Sequence, residues 1–188
     1  PRTIMITAWT LYQTRRYDEA VSKAAKAVEM SGNVPQAMLH LGNALTAVGR
    51  LDEAVEQLRR SSEKWGRSGL PRYLLAHARA AQGNREAVLS ILEKLLETSR
   101  IAYMKPYFIA MAAVAAGDHE LAFEWFQRAV AEKNEWLMWF GTEPKLDPIR
   151  KDPRYTEILK ATNNPIAASI KGMAAASPDT AERERSIA

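Results

Sequence analysis

The sequence predicts an all-α protein: a superhelix of about four helix–turn–helix hairpins, closed by a C-terminal capping helix. Three observations lead there. The word Asp-Glu-Ala at residues 18–20 returns at residues 52–54, an interval of 34. Gly49, Gly83 and Gly117 keep that interval, and so do Leu41, Leu75 and Ile109. A fixed period of this length marks stacked repeats, because one hairpin cannot bury its apolar face alone.

The units run over about 1–34, 35–68, 69–102 and 103–130, so a repeat region covers 1–130. The second unit shows the logic best. Met38, Leu41, Leu45 and Val48 fall at helical spacing. Gly49 then ends that helix, since glycine adopts the left-handed C′ conformation without strain. Asp52 and Glu53 open the next helix, where Asp is expected to cap free N–H groups and negative charge suits the dipole. Ala54 is small where two helices cross, and Leu58 extends the buried face. The first unit repeats this with Asp18, Glu19 and Ala20, but has Arg15 where the others have glycine. The third, "GNREA", is one residue shorter at the turn, and the fourth reads "GDHELA" with Ala122 and Phe126.

After residue 130 the period dissolves. "NEWLMWF" carries Trp136 and Trp139, and Asp147-Pro148 and Asp152-Pro153 follow. Asp at an N-cap followed by Pro at the first helical position starts a helix efficiently. Two such starts predict a short turn and then a helix from Asp152 to about Lys160, within a capping segment 131–160. From Ala161 the composition turns to Asn, Pro, Ser and Ala, and 161–188 is read as a linker or tail.

Bulk composition narrows the function. Of 188 residues, 47% are hydrophobic and 26% charged, which suits a globular chain. No run of about 18 apolar residues is present, so no membrane span is expected. The chain begins at Pro1 rather than Met, as a fragment or processed product would, and "TIMITAW" lacks the features of a signal peptide. Cysteine is absent, which removes disulfides and thiol chemistry and suits a cytoplasmic setting. The net charge of +4 permits attraction to anionic partners, but basic and acidic residues interleave as on a solvated helix surface, so nucleic-acid binding is not expected.

The second unit, "PQAMLHLGNALTAVGRLDEAVEQLRRS", resembles the tetratricopeptide repeat family through Leu41-Gly42, Leu45, Ala54 and Leu58. The resemblance extends over roughly 1–130. It departs at Met38 and Arg72, where the family has a large aromatic residue, at Arg15, and after the second unit, where the helix-ending proline is missing. The stretch "WLMWF…LDPIRKDPRY" is similar to the ending of such repeats in bacterial multidomain signalling regulators, where they accompany winged-helix, adenylate cyclase-like or kinase domains. "RERSIA" is similar to the opening of a TolB-like neighbour. This resemblance implies a protein–protein interaction scaffold within a larger bacterial signalling or transcriptional regulator. Self-association of the module, with no peptide ligand, is the alternative.

The residues themselves offer no catalytic apparatus, and an enzyme is not expected. His40, His77 and His119 lack the spacing and nearby carboxylates of a helical metal site, so no metal is expected. No phosphate loop, dinucleotide turn or nucleophile elbow occurs, so no cofactor is expected either. What remains is surface. In the tetratricopeptide fold the first helices line a concave groove, and register places Trp9, Tyr12, Leu39, His40, Asn43, Tyr73, His77, Tyr107 and Met111 there. Such a lining suits a peptide or a neighbouring domain, with Tyr73 and Tyr107 as anchors whose loss would weaken capture without unfolding. Asn43 matches the asparagine with which related adaptors clamp a peptide carboxylate, but the basic partners are lacking, so clamping is not expected. The same aromatic residues could instead pack on one another, or on a missing upstream helix. Both readings stay open on sequence alone, as does a homodimer.

Overall fold

The computed structural model describes residues 2–164. Among them are nine α-helices, two 3₁₀ helices and no strand. Helices α1 (Arg2–Gln13) and α2 (Tyr17–Ser31) form the first hairpin, followed by α3 (Pro35–Ala47) with α4 (Leu51–Trp65). The third pairs α5 (Gly69–Ala81) with α6 (Arg85–Ile101), and the fourth α7 (Pro106–Ala116) with α8 (His119–Ala131). The 3₁₀ helices Glu135–Trp139 and Pro144–Ile149 come next, and then α9 (Pro153–Ala161). The odd helices α1, α3, α5 and α7 pack on one another in turn, forming a continuous inner layer, and each even helix packs on its own odd partner. No described helix is long and apolar enough to cross a membrane. The region 161–188, read as a linker or tail, lies almost wholly outside the described residues.

The hairpin turns obey the rule inferred from the repeat. Gly49, Gly83 and Gly117 have φ of +78°, +74° and +77°, the region where a side chain is strained. Arg15 holds the equivalent place in the first hairpin and takes φ +61° despite its side chain.

The helix starts differ from expectation. In α2 and α4 the acidic pair lies inside the first turn, and neither helix has a side-chain cap. Arg16 and Arg50 occupy the N-cap positions, and each reaches forward to a glutamate: Arg16 to Glu19 at 2.6 and 2.7 Å, Arg50 to Glu53 at 2.7 Å on both oxygens. The acidic residues still face the positive end of the helix dipole. Side-chain caps occur in the later units, where Asn84 accepts from the Ala87 N–H and Asp118 from the Leu121 N–H, both at 3.0 Å.

Of the two Asp-Pro pairs, only the second starts a helix. Asp152 accepts from the Arg154 N–H at 2.9 Å and caps α9. Asp147-Pro148 lies within the 3₁₀ helix Pro144–Ile149, which is capped by Glu143. The reason is that Asp147 is already taken, by Arg15 at 2.8 Å and by Arg150 at 2.7 Å. Helix α9 packs on α8, where Arg154 bridges to Glu120 at 2.7 and 2.9 Å and lies 4.2 Å over the Phe123 ring.

Candidate functional site

All nine residues assigned to the groove lie on the odd helices. Trp9 and Tyr12 are on α1, Leu39, His40 and Asn43 on α3, Tyr73 and His77 on α5, and Tyr107 and Met111 on α7. Six of them are at most 2 % exposed: Tyr12, Leu39, Asn43, Tyr73, Tyr107 and Met111. Trp9, His40 and His77 are half-buried. The cover over them is the chain's own segment from Glu135 to Arg150, which folds back along the concave face and packs Pro144–Ile149 against α7. Tyr73 and Tyr107 are therefore core residues, meeting edge to face with centroids 6.5 Å apart. Truncating either to Ala would cost about 3–5 kcal/mol of stability, so neither variant can report on capture alone.

The centre of the covered groove is polar. The Tyr12 hydroxyl donates to Glu143 Oε1 at 2.8 Å, and Gln13 Nε2 donates to Glu143 Oε2 at 3.2 Å. Lys145 Nζ donates to the Tyr12 hydroxyl at 2.5 Å and also to Asn43 Oδ1. It sits 3.8 Å from Glu143 Oε1 and 4.5 Å over the Tyr12 ring. The two side chains are 9 % and 2 % exposed, so this ion pair is desolvated and depends on its hydrogen bonds. Burial pushes the Lys145 ammonium down, and Glu143 pulls it back only in part. Burial also drives the Tyr12 hydroxyl well up, helped by Glu143. Asn43, the residue of the expected asparagine position, is thus engaged, and both the carboxylate and the cation in the groove belong to the chain itself.

His77 Nε2 lies 2.9 Å from the Met111 carbonyl, which can only accept, so the ring carries its proton on Nε2. Burial first, and the Lys145 charge second, hold His77 down at about 3. His40 is held at about 4 by burial, and its Nδ1 has no hydrogen-bond partner among the described residues. No group of three or more metal-ligating side chains occurs among the described residues.

The groove residues that remain accessible lead to its open end. A cleft of about 500 Å³ lies between α1, α3, the α4–α5 junction and Glu135–Trp139, lined by Trp9, Leu39, His40, Trp65, Trp136 and Trp139 with Arg2, Met5, Ile6, Thr10, Gln36 and Leu70. Trp9 stands edge-on to Trp139 at 5.5 Å and is tilted against His40 at 5.8 Å. The sequence noted Trp136 and Trp139 as part of an apolar stretch, outside the groove and available to a second copy, and did not single out Glu143, Lys145 or Trp65. The first two lie in "GTEPKLD", a polar turn-like stretch that carries no periodic signal of burial.

This geometry of paired helices, glycine turns and a concave inner layer has a counterpart among known families. Residues 7–66 match the tetratricopeptide repeat family. Tetratricopeptide repeats are in general non-catalytic scaffolds for protein–protein interaction. Among solved structures, the crystal structure of MamA is similar, with 15% identity over 88% of this chain and 96% of that one and a TM-score of 0.44. A protein described as a kinesin light chain with nearly identical TPR-like repeats, from Podosopora anserina, shares 19% identity over 86% of this chain and 92% of that one, with a TM-score of 0.49. No curated protein matches the chain significantly.

Proposed function

We propose that this chain is a protein-interaction scaffold that captures a peptide or a neighbouring domain at the open, tryptophan-lined end of its concave face. The observation that carries this reading is the cleft itself, where four half-buried indoles stand around about 500 Å³ of open space. Large aromatic side chains with accessible faces are the usual anchors of interfaces, because they bury much area at low entropic cost. The fold-back of Glu135–Arg150 supports it from inside the molecule, since it is a peptide segment seated on Tyr12 and Asn43 of the inner layer. Of the nine groove residues, Trp9 and His40, both half-buried at the cleft, are the ones this reading keeps in contact with a partner. Of the others, Tyr12, Asn43 and Tyr107 hold the fold-back segment, through Glu143, Lys145 and Trp136.

The scaffold would work within a larger bacterial signalling or transcriptional regulator in the cytoplasm, with no reaction of its own. The test places a photo-crosslinking residue at Ile6, at the cleft, and in a second variant at Leu89 on α6. Both positions are exposed, at 58% and 43%. Crosslinks to a partner from Ile6 and not from Leu89 are expected. Capture from Leu89 alone would overturn the reading.

A second reading, self-association, is favoured by exposed apolar residues elsewhere. Ile101 is 80% and Tyr103 72% exposed at the α6–α7 junction, and Met138 is 67% exposed. Light scattering over a concentration series separates the two, because a strict monomer excludes this one.

A further inference from the structure

The tryptophan cleft has a chemistry of its own. Trp9, Trp65, Trp136 and Trp139 supply its walls, and His40 lines it as a neutral ring. Among the described residues no acidic group lines it and its one charged group is Arg2, which is exposed and has no hydrogen-bond or ion-pair partner there. Indole walls alone would accept any flat apolar ring, and their faces would also attract an organic cation. The uncompensated guanidinium at the rim decides between these. It repels a cation and offers two parallel donors to a carboxylate, the geometry in which arginine binds best. A volume of this size is in the range of small-molecule sites, which are mostly apolar with a few polar groups fixing orientation.

We propose that this cleft is a binding site for a small aromatic carboxylate, with its ring among the four indoles and its carboxylate on Arg2. The ligand shares the cleft with the interaction reading but does not depend on a protein partner. The test titrates the full chain with 3-phenylpropionate, its neutral amide and the corresponding 3-phenylpropylamine, following the indole N–H resonances by NMR. The chain has five tryptophans, and the fifth, Trp125, lies on α8 beneath Arg128, away from the cleft. The carboxylate should shift four indole signals saturably and leave that of Trp125 in place, and it should bind at least severalfold tighter than the amide and the amine. Arg2→Gln should reduce its affinity about tenfold, the loss of one charge-assisted pair. Gln36→Glu, which puts a carboxylate on the same lining, should turn the preference toward the amine. Both substitutions are at exposed helix positions, so folding is not at stake. No saturable shift with any probe, or affinities that ignore charge and both substitutions, would overturn the proposal. Crosslinking from Ile6 would be untouched by that failure, so the two readings fall separately.

Discussion

Gly42 shows how closely the helices of one hairpin approach. A Cβ there would lie 2.5 Å from the Leu58 Cγ and 3.1 Å from the Ala54 carbonyl oxygen, with Leu58 itself fully buried. Alanine would gain about 1 kcal/mol of helix propensity, but overpacking costs about 1–3 kcal/mol. Gly42→Ala should therefore lose up to about 2 kcal/mol net, read as a lower urea midpoint at unchanged slope. At the same scale the two inner-layer histidines make stability sensitive to acid. Both are neutral in the fold, at about 4 for His40 and about 3 for His77, against an ordinary value of 6.5. Below pH 6.5 the unfolded chain takes up protons that the folded chain refuses. Stability is thus full above that pH and falls as the pH drops toward 4, at up to about 1.4 kcal/mol per pH unit for each ring. Urea unfolding at pH 7, 6 and 5 checks this, and His77→Gln, whose amide can still donate to Met111, should make the slope shallower.

Among the elements, the fold-back segment depends most on a few polar contacts. Glu143 and Lys145 are desolvated together and satisfy Tyr12, Gln13 and Asn43. Removing one partner strands the other, which costs about 3–5 kcal/mol, whereas replacing both with apolar residues of similar size approaches neutrality. Lys145→Met should destabilise by about that amount, and adding Glu143→Leu should recover only part of it in thermal melts, because the buried Tyr12 hydroxyl and Asn43 side chain then lose these partners. A double variant as unstable as the single would show that the pair is a net stabiliser. The helices themselves were legible in the sequence, because a period of 34 with glycine turns leaves few alternatives: α3 starts at Pro35, α5 at Gly69 and α9 at Pro153. The caps of α2 and α4 were not, since an Asp-Glu pair can sit at a cap or in the first turn, and the preceding Arg16 and Arg50 tipped it inward.

At the scale of the whole molecule, the repeat pattern identified the inner layer but not what covers it. Register depends on local periodicity, and the nine residues proposed for the groove all fall on the odd helices. Burial of Tyr73 and Tyr107 depends on a return of the chain from residues 135–150, and no local pattern encodes that return. The groove's open end likewise needs Trp9, Trp65, Trp136 and Trp139 from four separate segments, which only the folded chain brings together.

A stack of repeats is ordinarily an open chain of neighbours, each end free to fray on its own. Here Tyr12 and Gln13 bond to Glu143, and Arg15 to Asp147, across some 130 residues. Those bonds join the first hairpin to the closing segment and turn the open chain into a loop. Opening either terminus then exposes the other, so amide hydrogens of α1 and of Pro144–Ile149 should exchange with a common opening free energy, as one cooperative unit. In an unjoined stack they would exchange independently, with α1 the faster as a free edge. Whatever loosens the last segment should accordingly be felt first at the opposite end of the molecule.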